Sequence, residues 1–141
     1  MDSPLARRVR LFRESGQVRP EVASFVTAEL VALAAEGCRV TEESAGMLTS
    51  HLLMALTRLL DGEAVAEFRT DAAVAAELAG CPEAVSRARV VALRAGRELG
   101  AALPESEIRF LALHLAVLYG GGPLPAGPPA RADASSRRDI P

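Results

Sequence analysis

The chain has 141 residues, enough for one compact domain, and half of them are hydrophobic. Aromatic residues make up 4% and Trp is absent, so a core must come from Ala, Leu and Val, a set that favours helix over sheet. The formal charge of −2 gives no general electrostatic basis for binding nucleic acid or an anionic membrane. All 16 basic residues are Arg, which reads with the abundance of Ala as compositional bias rather than as a phosphate-binding signal.

The first segment, Ser3 to Ser15, reads as a short helix with Ser3 as cap, Pro4 in the first turn and Gly16 as terminator. It carries Arg7, Arg8, Arg10 and Arg13. A contact arm for nucleic acid or an acidic partner is one reading. A solvated helix face is the preferred one, because Lys and interleaved aromatics are missing. Pro20 opens a second helix, in which Val22, Phe25, Val26, Leu30, Leu33 and Ala34 recur at helical spacing, and Gly37 closes it. The third begins at Thr41, where Thr41-Glu42-Glu43-Ser44 offers a capping oxygen and first-turn carboxylates, and ends at Leu60 before Asp61-Gly62. A shorter fourth helix spans Asp71 to Leu78 with Thr70 as cap. The fifth runs from Pro82 to Gly100, and the sixth from Pro104 to Tyr119. From Gly120 onward Pro, Gly, Ala, Ser and Arg dominate, so a tail over residues 120–141 is expected to be disordered. The expected architecture is all-α: a compact bundle of five to six helices, with residues 1–19 as a helical extension of a domain at 20–119.

Cys38 and Cys81 lie in no Cys-x-x-Cys or Cys-plus-His pattern. They read as reduced thiols packed as small apolar groups, with a single disulfide left open. No N-terminal secretory pattern is present and no stretch approaches the ~20 apolar residues of a membrane span. A soluble, cytoplasmic protein is expected.

Two histidines stand out. His51 and His114 each sit in a nearly all-apolar helical run, where a side chain titrating near neutral pH is costly unless hydrogen-bonded or employed. His51 and Arg58, seven positions apart, share one side of the third helix, about 10 Å apart along its axis. In the sixth helix His114 lies between the Ile108, Leu111, Leu115 and Leu118 stripe and a second apolar side of Phe110, Leu113 and Val117. From there it can reach a groove that His51 also reaches. Metal binding, with Glu105 or Glu107 assisting, lacks a local motif. Acid/base catalysis lacks a partnered nucleophile or phosphate loop. Phosphoryl acceptance by a neutral ring nitrogen fits best, with Arg58 placed to meet the new charge.

The run Leu48-Thr49-Ser50-His51 with Arg58 resembles the first signature of the PTS regulation domain (PRD), usually Leu-Thr-Asp-His followed by Arg. Leu103-Pro104-Glu105-Ser106-Glu107-Ile108-Arg109-Phe110-Leu111-Ala112-Leu113-His114 resembles the second. The resemblance covers residues 20–119. It implies a helical bundle of PRD type, often dimeric, in bacterial regulators of carbohydrate use, phosphorylated on His51 and His114 by the phosphocarrier HPr or an enzyme IIB, with Arg58 as a phosphate-contacting or structural neighbour. Ser50 and Ser106 stand where Asp is usual, and Arg109 where Gly is usual. Loss of those carboxylates is expected to lower the basicity of the histidines. A single copy without an attached nucleic-acid-binding module is expected. The expected function is therefore a stand-alone, non-enzymatic regulatory domain, without cofactor, metal, nucleic acid or membrane as partner, acting as a homodimer on another protein. A structural interaction module that is never phosphorylated is the alternative. A small metal-binding helical protein is the remote one.

Overall fold

In the computed structural model the described residues are 1–63 and 72–120, the side chains of 72–74 excepted. They form six helices and no strand: α1 (Ser3–Glu14), α2 (Pro20–Ala35), α3 (Glu42–Leu60), α4 (Ala72–Ala79), α5 (Pro82–Leu99) and α6 (Glu105–Gly120). The all-α bundle is thus present. The expected Thr70 cap and the tail beyond Gly120 lie outside the described residues.

Local signals set the helix ends. The left-handed Gly100 (φ 75°) stops α5, and Ala101 N–H closes back onto the Ala95 carbonyl, a conformation that a residue with a Cβ adopts at a cost. Thr41 caps α3 in a reciprocal box with Ser44: each side chain bonds the other residue's backbone N–H, at 3.0 and 3.1 Å. The start of α1 differs from expectation. Ser3 is already helical, and the cap is Asp2, whose extended backbone lets its carboxylate accept from Leu5 N–H at 3.1 Å. The same carboxylate accepts from Glu42 N–H, the first residue of α3, at 3.1 and 3.2 Å. One anion therefore satisfies orphan donors at two positive helix ends and fixes α1 beside α3.

That junction makes α1 part of the core. Leu5 is fully buried and Val9 nearly so, and α1 packs on both α2 and α3. The helix expected as an extension thus shares the hydrophobic cluster of Val22, Val26, Leu53, Leu56 and Leu115. Its arginines face outward, apart from Arg8. At the other end of the bundle α5 and α6 lie side by side, α4 rests on both, and α3 packs on α6.

Charged pairs link α2 and its C-terminal cap residue, Glu36, to α5. Glu29, 7% exposed, receives two hydrogen bonds from Arg94, each 2.6 Å, and Glu36 pairs with Arg87. A buried carboxylate is tolerable when a guanidinium fork satisfies both oxygens. Cys38 and Cys81 are not joined by a disulfide. Burial and the nearby Glu36 carboxylate push the Cys38 thiol up, which disfavours the reactive thiolate. Among the described residues no helix is long and apolar enough to cross a membrane.

Candidate functional site

Two stripes on α3 build the site. Met47, His51, Met54 and Arg58 recur at alternating spacings of four and three and lie along one line of the helix surface. Glu42, Gly46 and Ser50, each four apart, form the adjoining line. Together with Arg8 from α1, these residues border a shallow groove of about 680 Å³. His51 and Arg58 therefore share one groove, as the sequence spacing led us to expect. The Arg58 side chain is exposed and makes no hydrogen bond or ion pair among the described residues. The Cα–Cβ bonds of a helix tilt toward its N-terminus, a direction that for Arg58 is the His51 side of the groove.

The floor of the site comes from α6. Glu107, Phe110 and His114 stand at positions i, i+3 and i+7, one face of a helix, and that face meets α3. His51 Nε2 lies 2.5 Å from Glu107 Oε1. The His51 side chain is 34% exposed and that of Glu107 2%, so the imidazole reaches from the groove down to a buried carboxyl. When Glu107 accepts from the Nε2–H, the lone pair of the neutral ring sits on Nδ1, the nitrogen left for chemistry. The second oxygen of Glu107, Oε2, is buried with no partner among the described residues. An acceptor so placed costs about 1–3 kcal/mol. Glu107 is the residue that sequence reasoning did not assign to His51. Its signal was present in the helical register with His114, but a Glu in a first helical turn ordinarily serves the helix dipole.

His114 does not open onto the groove. Phe110 contacts both imidazoles, with ring centroids 4.1 Å from His51 and 4.5 Å from His114. His114 is 5% exposed. The expectation that both histidines reach the same groove thus holds for His51 alone; the bulk of Phe110 and the docking of α6 seal His114 beneath. Burial lowers the His114 pKa, and the nearby His51 lowers it further.

The sign of the consequence follows from linkage. A histidine whose folded pKa lies below its unfolded value is held neutral by the fold. Its stabilising contribution is intact above the unfolded value of about 6.5 and is lost as pH falls through the window down to the folded pKa. Between pH 7 and 5 the midpoint of thermal unfolding is expected to drop in the wild-type protein, and a His114→Leu variant should show a shallower drop. Equal pH profiles of the two proteins, compared by circular dichroism melts, would show that His114 gains its proton as readily in the fold as out of it.

Arg8 is the second residue that sequence reasoning did not place. Its Nη1 donates to Ser50 Oγ at 2.8 Å and its Nε to Glu42 Oε1 at 3.1 Å, while Nη2 pairs with Glu42 Oε2. Gly46 makes the room: a Cβ there would stand 3.3 Å from Arg8 Nη2 and 3.2 Å from Glu42 Oε2. Ser50, where Asp is usual in the resembled signature, thus accepts a hydrogen bond from a guanidinium next to His51. Among the described residues no group of three or more His, Cys, Asp or Glu side chains is arranged to hold a metal ion.

No family model matches this chain, and neither a curated protein nor a solved structure was found to match it.

Proposed function

We propose that the protein is a regulatory domain of PRD type that takes a phosphoryl group on His51 and passes that state to a protein partner. The observation that carries the reading is the one-third-exposed imidazole held by a buried Glu107, with an Arg58 in the same groove that has no partner among the described residues. Phosphoryl transfer to imidazole needs three things: a free ring lone pair on a side chain that solvent reaches, stabilisation of the cationic ring that attack creates, and a counter-charge for the product. Nδ1, Glu107 and Arg58 supply them in that order.

The donor is a phosphorylated carrier protein, HPr or an enzyme IIB. The Nδ1 lone pair forms the new P–N bond while the bond from phosphorus to the donor's own side chain breaks, and the departing donor atom keeps the electron pair. Glu107 balances the positive charge on the His51 ring. His114 is the second acceptor of the reading, and it is reached only when the Phe110 contact opens. The resemblance in two signatures of the correct order supports this assignment; Ser50 and Ser106, which lack the usual carboxylates, favour the alternative of an unphosphorylated interaction module.

Incubation with phosphoenolpyruvate, enzyme I and HPr, with and without an enzyme IIB, tests the reading through acid-labile phosphate and its site. Label is expected first at His51, and His51→Ala should remove it. If folded protein takes up no label while a positive-control domain does, the reading fails. The His51–Glu107 bond is then a strut between α3 and α6, as the interaction module requires.

A further inference from the structure

We infer that Arg8 is a phosphate-contacting residue of this site, and that α1 is the element that responds to a phosphoryl group on His51. The inference rests on His51 as the acceptor, but it concerns residues that no signature includes. Arg8 comes from α1, and its guanidinium lies along the Glu42–Gly46–Ser50 line of α3. Nη1 is hydrogen-bonded to the hydroxyl of the residue preceding His51. Arg8 and Arg58 border the same groove as His51. Arg8 approaches from the side of Ser50, and Arg58 stands two turns further along the helix, so His51 shares its groove with two arginines.

The partner that Arg8 now holds is Glu42. Both side chains are about one-third exposed, so the pair is neither sealed nor freely hydrated. A phosphoryl group on His51 brings about two negative charges and three acceptor oxygens into the groove. Those oxygens compete with the single carboxylate for the guanidinium, and they repel Glu42. A guanidinium presents five donors in a planar fork, so Arg8 can turn toward phosphate while the Ser50 bond is kept. Gly46 lets the pair lie close against α3, since a Cβ there would stand 3.2 Å from Glu42 Oε2 and 3.3 Å from Arg8 Nη2.

The change does not stop at the groove. Arg8 and Glu42 also border a larger concavity of about 800 Å³ on the outer side of α1, with Arg7, Leu11 and Phe12. The Arg8–Glu42 pair is a wall common to both. Drawing Arg8 toward His51 clamps α1 onto α3 more firmly and alters the second concavity at the same time. The sequence singled out the arginines of this segment as a basic stretch; Arg8 is the one that the fold turns inward.

The test uses phosphoramidate, a small donor that phosphorylates imidazole as its own P–N bond breaks and ammonia leaves. It is independent of any phosphocarrier, so failure of HPr or enzyme IIB to label the protein leaves this experiment intact. Amide hydrogen exchange of the full chain is followed with and without label at His51. In the wild type, amides of Val9 to Phe12 are expected to exchange roughly tenfold more slowly once His51 is labelled, the scale of one charge-assisted hydrogen bond. Arg8→Gln should carry the label at His51 and show no slowing. Glu42→Gln, which leaves Arg8 in place without its competitor, should show a slowing at least as large as the wild type and covers the case in which Arg8→Gln does not fold. Unchanged or faster exchange in labelled wild type, slowing that persists in Arg8→Gln, slowing lost in Glu42→Gln, or no label at His51 under conditions that label free imidazole would each overturn the inference.

Discussion

Leu5→Ala is expected to lower stability by about 3 kcal/mol, within the range of roughly 2–5 kcal/mol for emptying a fully buried leucine site. For a domain of this size that corresponds to a fall in Tm of about 10 °C. Leu5 is fully buried, Val9 is 6% exposed, and both belong to the one hydrophobic cluster. The site cannot collapse easily around the missing methyls, because α1 is held at its start by Asp2, which also caps α3, and at its middle by Arg8. Removal of residues 1–15 should be more severe still, since it uncovers the faces of α2 and α3 on which α1 packs and removes a cap from α3. Thermal melts followed at 222 nm check both. A truncated protein that melts as the wild type does would show that α1 is an ornament on a self-sufficient bundle. The expectation bears on function as well as stability, because the groove beside His51 has Arg8 as one of its walls.

What the sequence revealed and what it concealed divide along the range of the interactions. Helix boundaries were legible because their causes are local: Pro20 and Pro82 at first turns, Gly37 and Gly100 just past the last ones, and Thr41 with Ser44 at the head of α3. The shared side of His51 and Arg58 was legible because both lie on one helix. The burial of α1 was not, since Arg7, Arg8, Arg10 and Arg13 dominate the pattern and obscure Leu5 and Val9 at i and i+4. Glu29 sits among Val26, Leu30 and Leu33, where a carboxylate has no place on an apolar face until Arg94 of α5 is brought to it. The same holds for Glu107: its helical register with Phe110 and His114 was on the page, but its partner lies 56 residues away on α3. Long-range pairing decides which charges are structural, and no local spacing encodes it.

Glu107→Leu separates the two roles of that carboxyl, and they are expected to move in opposite directions. As a structural group Glu107 is unfavourable. Among the described residues one oxygen is buried without a partner, and the other bonds an imidazole that is about one-third exposed and can bond water instead. Replacing a buried ionisable group by an apolar side chain of similar volume is often neutral or stabilising. A gain of about 1 kcal/mol is expected on removing the orphaned acceptor, read as a higher urea midpoint with unchanged slope. As a functional group Glu107 fixes the ring. Without it the His51 imidazole is free to rotate and to change tautomer, and the cationic ring formed on phosphoryl transfer has no buried counter-charge. Carboxylates that orient an imidazole in this way matter far more for reactivity than for stability, so the initial rate of labelling at His51 should fall on the order of tenfold or more. A variant that is both more stable and less readily labelled would show that Glu107 is kept for chemistry at the expense of the fold. A variant that loses stability and labels at the wild-type rate would assign Glu107 to packing α6 against α3, and the groove above it would need another explanation for the imidazole it presents.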